Sequence, residues 1–115
     1  MSAGDLADFL TQLREAASEV AVFIEGMSKA EFLADSRTQK AVVLNLMIIG
    51  ETVSRLRQKH RSFLELHPDV PWQQMTGMRN RIANGYFDID YEIVWETTKH
   101  SLPDLVNRLD RIGLP

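Results

Sequence analysis

The stretch Ser36-Arg37-Thr38-Gln39-Lys40-Ala41-Val42-Val43-Leu44-Asn45-Leu46-Met47-Ile48-Ile49 decides the fold of this chain. Ser36 to Gln39 has the form of a capping box, a hydroxyl residue followed three positions later by Gln, which satisfies the free amides at a helix start. Beyond it the side chains are apolar nearly all round through Ile49, then turn basic toward Arg61. That pattern predicts a central helix from Ser36 toward Arg61, buried on most sides. The apolar run is too short to span a bilayer and Asn45 interrupts it, so no membrane segment is expected.

Toward the N-terminus, Leu6, Phe9, Leu10, Leu13, Ala17, Val20 and Ile24 recur at the spacing of one helical face, and Gly26 closes that helix. Ser28-Lys29-Ala30-Glu31 is a second capping box, with Met27 and Phe32 placed as a hydrophobic staple, and starts a short helix. Toward the C-terminus, His67-Pro68-Asp69-Val70-Pro71 reads as a loop, with Pro71 at the first position of the next helix. Trp72, Met75, Arg79, Ile82, Ala83 and Tyr86 form the stripe of that helix. Asn84-Gly85 lacks flanking strand-like alternation, so it reads as a helix end tolerant of left-handed geometry rather than a hairpin. Asp88 then caps a last helix, with Asp90 and Glu92 in its first turn. Pro103 kinks or interrupts it before Leu105, Val106, Leu109 and Ile112 continue the stripe. The expected architecture is an all-α, five-helix, up-and-down bundle forming one domain over 1–115, with fraying ends.

Composition agrees with one globular domain: 115 residues, 44% hydrophobic and 25% charged. The absence of cysteine excludes thiol catalysis, thiolate metal sites and disulfides, and fits a reducing compartment. With Asp5 and Asp8 and no basic residue among the first ten, no leader is expected either, and the cytoplasm is the expected location. His60, His67 and His100 are scattered without ligand-type partners, so neither metal nor cofactor is expected. No glycine-rich phosphate loop and no nucleophile elbow occurs.

Charge is segregated along the chain. Residues 1–36 hold two basic side chains against seven acidic ones, 37–81 hold eight against three, and 82–115 hold three against six. The basic middle either presents a phosphate-binding face or balances helix C-termini.

Polar groups concentrate in Gly77-Met78-Arg79-Asn80-Arg81-Ile82-Ala83-Asn84-Gly85-Tyr86-Phe87. On a continuous helix Tyr86 lies about −20° from Arg79, so guanidinium and phenol face the same way. An arginine on such a stripe takes one of two partners. It forms a salt bridge across the bundle, with Glu51 as the candidate, or it grips an anion as a planar phosphate fork.

The string from Gly77 through Trp95 closely resembles the signature of the HepT-like subgroup of HEPN domains. Ile49-Gly50-Glu51, Val70-Pro71-Trp72 and Ser101-Leu102-Pro103 resemble the same family in order and spacing. The resemblance implies a metal-independent endoribonuclease toxin, active as a homodimer whose two motif helices meet across a two-fold cleft. It also implies a toxin–antitoxin pair, in which a minimal nucleotidyltransferase antitoxin transfers AMP to the motif tyrosine.

The family motif is Arg, four residues, His, one residue, Tyr. Arg79 and Tyr86 match it, and Asn84 stands where histidine is expected. Histidine would move the proton of the attacking 2′-hydroxyl, and an amide cannot titrate for that purpose. Weak or absent RNase activity is therefore expected. The alternative is a non-catalytic module that dimerises and binds RNA or the nucleotidyltransferase. Supporting roles fall to Asn80 for orientation, Arg81 for the RNA backbone, and Glu51 for holding Arg79 or pairing with Arg55 at i+4. The Arg55-Arg57-Lys59-Arg61 run either extends an RNA track or compensates a helix end. Arg79 and Asn84 lie about 140° apart on an ideal helix, so a shared groove requires a second copy or unwinding near Gly85. The apolar residues of the central helix either supply that dimer interface or belong to the core.

Overall fold

The computed structural model describes residues 3–113. Met1, Ser2, Leu114 and Pro115, and with them the expected fraying of the chain ends, lie outside the described residues. The α-helices are α1 (Ala3–Phe23), α2 (Lys29–Leu33), α3 (Ser36–Lys59), α4 (Arg61–Leu66), α5 (Trp72–Asn84), α6 (Tyr91–Glu96) and α7 (Leu102–Ile112). A 3₁₀ turn, Tyr86–Asp88, follows α5, and a π turn, Thr97–Ser101, joins α6 to α7 in one helical stretch. Among the described residues the regular structure is all helical, as the sequence predicts, but the helices outnumber the expected five. With α6 and α7 counted as one stretch, the one extra helix arises at His60, whose backbone leaves the helical region at φ −137° and ψ 49° and restarts the chain as α4. The His60 ring turns inward to Asp5 of α1 at 3.2 Å.

Local capping explains most helix starts. Ser28 and Glu31 form the reciprocal capping box that the sequence predicts. At α3 the cap is Asp35 rather than Ser36. Its carboxylate accepts from the Thr38 amide at 3.2 Å and the Thr38 hydroxyl at 2.8 Å, two bonds that a serine hydroxyl could not reproduce. These bonds, the hydroxyl's first, hold the Asp35 carboxyl below its ordinary range. Gln39 donates to the carbonyls of Phe32 and Leu33, closing the end of α2 instead of completing a box with Ser36. Likewise α6 is capped by Asp90, which accepts from the amides of Glu92 and Ile93. Asp88 lies two residues before that cap position, inside the 3₁₀ turn that its amide closes on the Gly85 carbonyl at 2.9 Å.

The interruption expected at Pro103 begins earlier, as the π turn. A proline ring collides with the carbonyl four residues before it, here Lys99, and a wider turn relieves that collision. The Leu102 amide accordingly bonds five residues back, to the Thr97 carbonyl.

Helix α3 packs against both α1 and α5. Val42, Leu46, Ile49, Val53 and Leu56 of α3 share one core with Leu10, Leu13, Ala17 and Val20 of α1 and with Met75 and Ile82 of α5. Asn45 is buried within this apolar helix, where its amide donates to the Ala16 carbonyl and the Glu19 carboxylate. Phe32 packs on Trp95 at 5.4 Å, seating α2 against α6. The expected burial of α3 on most sides leaves one face open, where Leu44 is 60% and Ile48 41% exposed. Two flanking helices cover two faces of a cylinder, and the third, carrying Leu44, Ile48, Glu51 and Arg55, stays open.

Candidate functional site

Arg79 projects from α5 where that helix crosses Gly50 of α3. A Cβ added at Gly50 would lie 2.2 Å from the Arg79 Cβ and 3.0 Å from the Met75 carbonyl oxygen, so only glycine permits this approach. Close packing fixes the root of the arginine, and its head group is then shared among polar neighbours. Nη1 donates to Asn80 Oδ1 at 3.2 Å, and Nη2 lies 3.6 Å from Glu51 Oε2. Nε is buried without a hydrogen-bond partner. The ion pair with Glu51 anticipated from the sequence is therefore present, but it is too long for a hydrogen bond and leaves donors of the fork unspent. The guanidinium faces an open cleft of about 460 Å³, lined also by Gln12, Ile48, Thr52 and Arg55.

The remaining motif residues lie beyond this group, at the end of α5. Asn84 is the last helical residue and is exposed. Gly85 ends the helix at φ −148° and ψ 41°, its amide bonding the carbonyls of Arg81 and Ile82. The helix thus ends where the sequence predicts, without using the left-handed geometry these residues tolerate; among the described residues positive φ occurs at Gly26 and Gly113. Because α5 stops before it, Tyr86 lies in the 3₁₀ turn, and the common facing of Arg79 and Tyr86 expected on a continuous helix does not apply. Tyr86 is 60% exposed, and its ring stacks at 4.3 Å on Phe87, which is 85% exposed. Ala83, on the same stripe as Arg79 and Ile82, is exposed as well. Arg81 is exposed beside a separate hollow shared with Asp88 and Asp90.

The structure thus brings together Arg79, Asn80 and Glu51. Among the described residues no hydrogen bond joins Arg79 to Asn84 or Tyr86 within one chain, and no three His, Asp or Glu side chains gather as a metal-holding group. Sequence reasoning gave Gly50 no role of its own. The available signal was a glycine inside a helix, which costs about 1 kcal/mol relative to alanine and points to a close backbone approach.

A family profile described as Ribonuclease HepT-like matches residues 13–112. The chain belongs to the HepT-like ribonuclease family. Similar HepT-like relatives include "Probable ribonuclease HepT" of Thermococcus cleftensis, 32% identical over 91% of this chain and 93% of the relative. "Putative RNase MJ0127" of Methanocaldococcus jannaschii is 34% identical over 94% of this chain and 87% of its own length. "Putative RNase TTE0752" of Caldanaerobacter subterraneus is 36% identical over 77% of each chain. No solved structure matches the chain. The HepT-like match runs from within α1 to the end of α7, so it includes the α3–α5 crossing and both ends of the motif helix. Among the described residues no helix is long and apolar enough to cross a membrane.

Proposed function

We propose that this chain is a HepT-type endoribonuclease toxin scaffold that binds RNA without metal as a homodimer, and whose cleavage step is impaired at Asn84. The observation that carries this reading is Arg79, a guanidinium rooted by close packing on Gly50 with donors unspent beside an open cleft. Cleavage requires the RNA 2′-oxygen to bond to the adjacent phosphorus as the 5′-oxygen leaves. The 2′-hydroxyl gives up its proton and the 5′-oxygen gains one. Arg79 holds the charge that develops on the phosphoryl oxygens. Asn84 can orient a hydroxyl by hydrogen bonding but cannot carry its proton, and losing such a group costs about 10²–10⁴ in rate.

The open face of α3 supports the dimer. Leu44 and Ile48 expose apolar surface on the same side of the helix as Glu51 and Arg55, so a second copy seated there places two Arg79 clefts at one seam. A shared seam also answers the separation of Arg79 from Asn84. The exposed Tyr86 suits modification by the minimal nucleotidyltransferase antitoxin. Its phenolic oxygen bonds to the α-phosphorus of ATP, pyrophosphate leaves and the phenol loses its proton. The product is a bulky anion at the end of the motif helix. Asn84 also favours a second reading, a non-catalytic module that keeps the RNA and nucleotidyltransferase surfaces without cleavage.

Binding of a labelled single-stranded oligoribonucleotide tests the site. Arg79→Ala is expected to weaken it about tenfold or more, from loss of a charge-assisted contact. Equal affinity for the two proteins contradicts the proposal.

A further inference from the structure

Two arginines in the cleft share one carboxylate. Glu51 places Oε1 3.7 Å from Arg55 Nε and Oε2 3.6 Å from Arg79 Nη2. Both separations exceed hydrogen-bond range, so the carboxylate spans a gap between two guanidinium groups without closing tightly on either. Among the described residues Arg55 has no other ion pair, and the buried Nε of Arg79 has no acceptor. The three side chains line the same cleft.

The geometry points to a phosphate slot in which Glu51 is the resident anion and Arg55 is a second phosphate ligand outside the Arg79–Tyr86 motif. This inference rests on the RNA-binding reading above. A phosphodiester presents two anionic oxygens to flanking guanidinium groups, the arrangement that the Glu51 carboxylate now occupies. Arg79 cannot retreat, because its root is held against Gly50. Glu51 can, because its side chain and that of Arg55 are half exposed and exposed i,i+4 pairs are weak. Phosphate entry therefore displaces Glu51 from between the two guanidinium groups, and the resting carboxylate weakens RNA binding by competing for the slot.

The test uses the full chain, a labelled single-stranded oligoribonucleotide and inorganic phosphate as competitor, with folding of each variant checked by circular dichroism. Arg55→Ala is expected to weaken oligonucleotide binding about tenfold and to lower the salt dependence by about one counterion. It also weakens competition by inorganic phosphate, because one of two guanidinium ligands is lost, whereas failure of inorganic phosphate to compete in the parent overturns the slot. Glu51→Gln is expected to tighten binding about threefold to tenfold, and by clearly less in an Arg55→Ala background, where only Arg79 is left to be freed. Glu65→Gln, which removes a carboxylate paired with Arg61 outside the cleft, controls for net charge. Binding that depends on Arg79 but not on Arg55 overturns the slot and leaves the RNA reading standing. So does tightening by Glu51→Gln that is undiminished without Arg55 or is matched by Glu65→Gln. Absence of Arg79-dependent RNA binding in the parent protein overturns both.

Discussion

Gly50 and Arg79 meet so closely that a Cβ on the glycine would sit 2.2 Å from the Cβ of the arginine. Neither atom is the free end of a flexible side chain, so even a methyl group would separate α3 from α5. Gly50→Ala gains helix propensity and still loses stability, by about 1–3 kcal/mol, the usual cost of overpacking a filled contact. Urea unfolding checks this, and a Gly50→Ala protein as stable as the parent would contradict it. The same substitution should weaken RNA binding about as much as Arg79→Ala, because it moves the root of the guanidinium.

Acid should unfold the protein through two helix caps and the Arg14–Asp110 ion pair between α1 and α7. Hydrogen bonds from Ser28 hold Glu31 below its ordinary range, those from Thr38 do so for Asp35, and the Arg14 guanidinium does so for Asp110. A carboxyl with a depressed folded pKa contributes stability above its unfolded pKa of about 4, and that contribution fades as pH falls through the folded value. The melting temperature should therefore hold between about pH 5 and 7 and fall below about pH 4. Asp35→Asn should melt lower than the parent at pH 7, with the gap narrowing in acid. A gap of constant size from pH 7 to 3 would remove Asp35 from this account.

Oligomeric state should depend on the open face of α3. Ile48→Glu places a charge amid the exposed apolar residues without touching the core, so a folded monomer is expected by sedimentation equilibrium. A variant that remains dimeric, with Leu44→Glu behaving likewise, would mean that the copies meet elsewhere.

Tyr86 should be the site of adenylylation when the chain is incubated with a minimal nucleotidyltransferase and ATP. Mass spectrometry should find one adenylate on the parent and none on Tyr86→Phe. Adenylate retained by Tyr86→Phe would move the modification to another residue.

What could be read from sequence followed the range of the interactions involved. The Ser28–Glu31 box was legible because both bonds close within four residues. Ser36 and Asp88 each lose their expected capping role to a neighbour of similar chemistry, Asp35 and Asp90, and only the surrounding turns decide between such candidates. The break at His60 was not legible because it is tied to Asp5, far away in sequence. The same holds within the site. Arg79 and Glu51 were named as partners from charge and position, whereas the part played by Gly50 depends on how α3 and α5 cross, and Arg55 becomes notable only once the cleft exists. The end of α5 at Gly85 separated Tyr86 from a stripe that is continuous only on an ideal helix.

The most direct measurement is RNA cleavage, in chelator, by the parent chain, by Asn84→His and by Asn84→His combined with Arg79→Ala. The parent should cleave slowly or not at all, and the histidine variant should gain about 10²–10⁴ in rate by restoring a group that moves the proton. The double variant should lose that gain. A parent as fast as Asn84→His, or a gain that survives without Arg79, would contradict an active site in which Arg79 holds the phosphoryl charge and position 84 carries the proton.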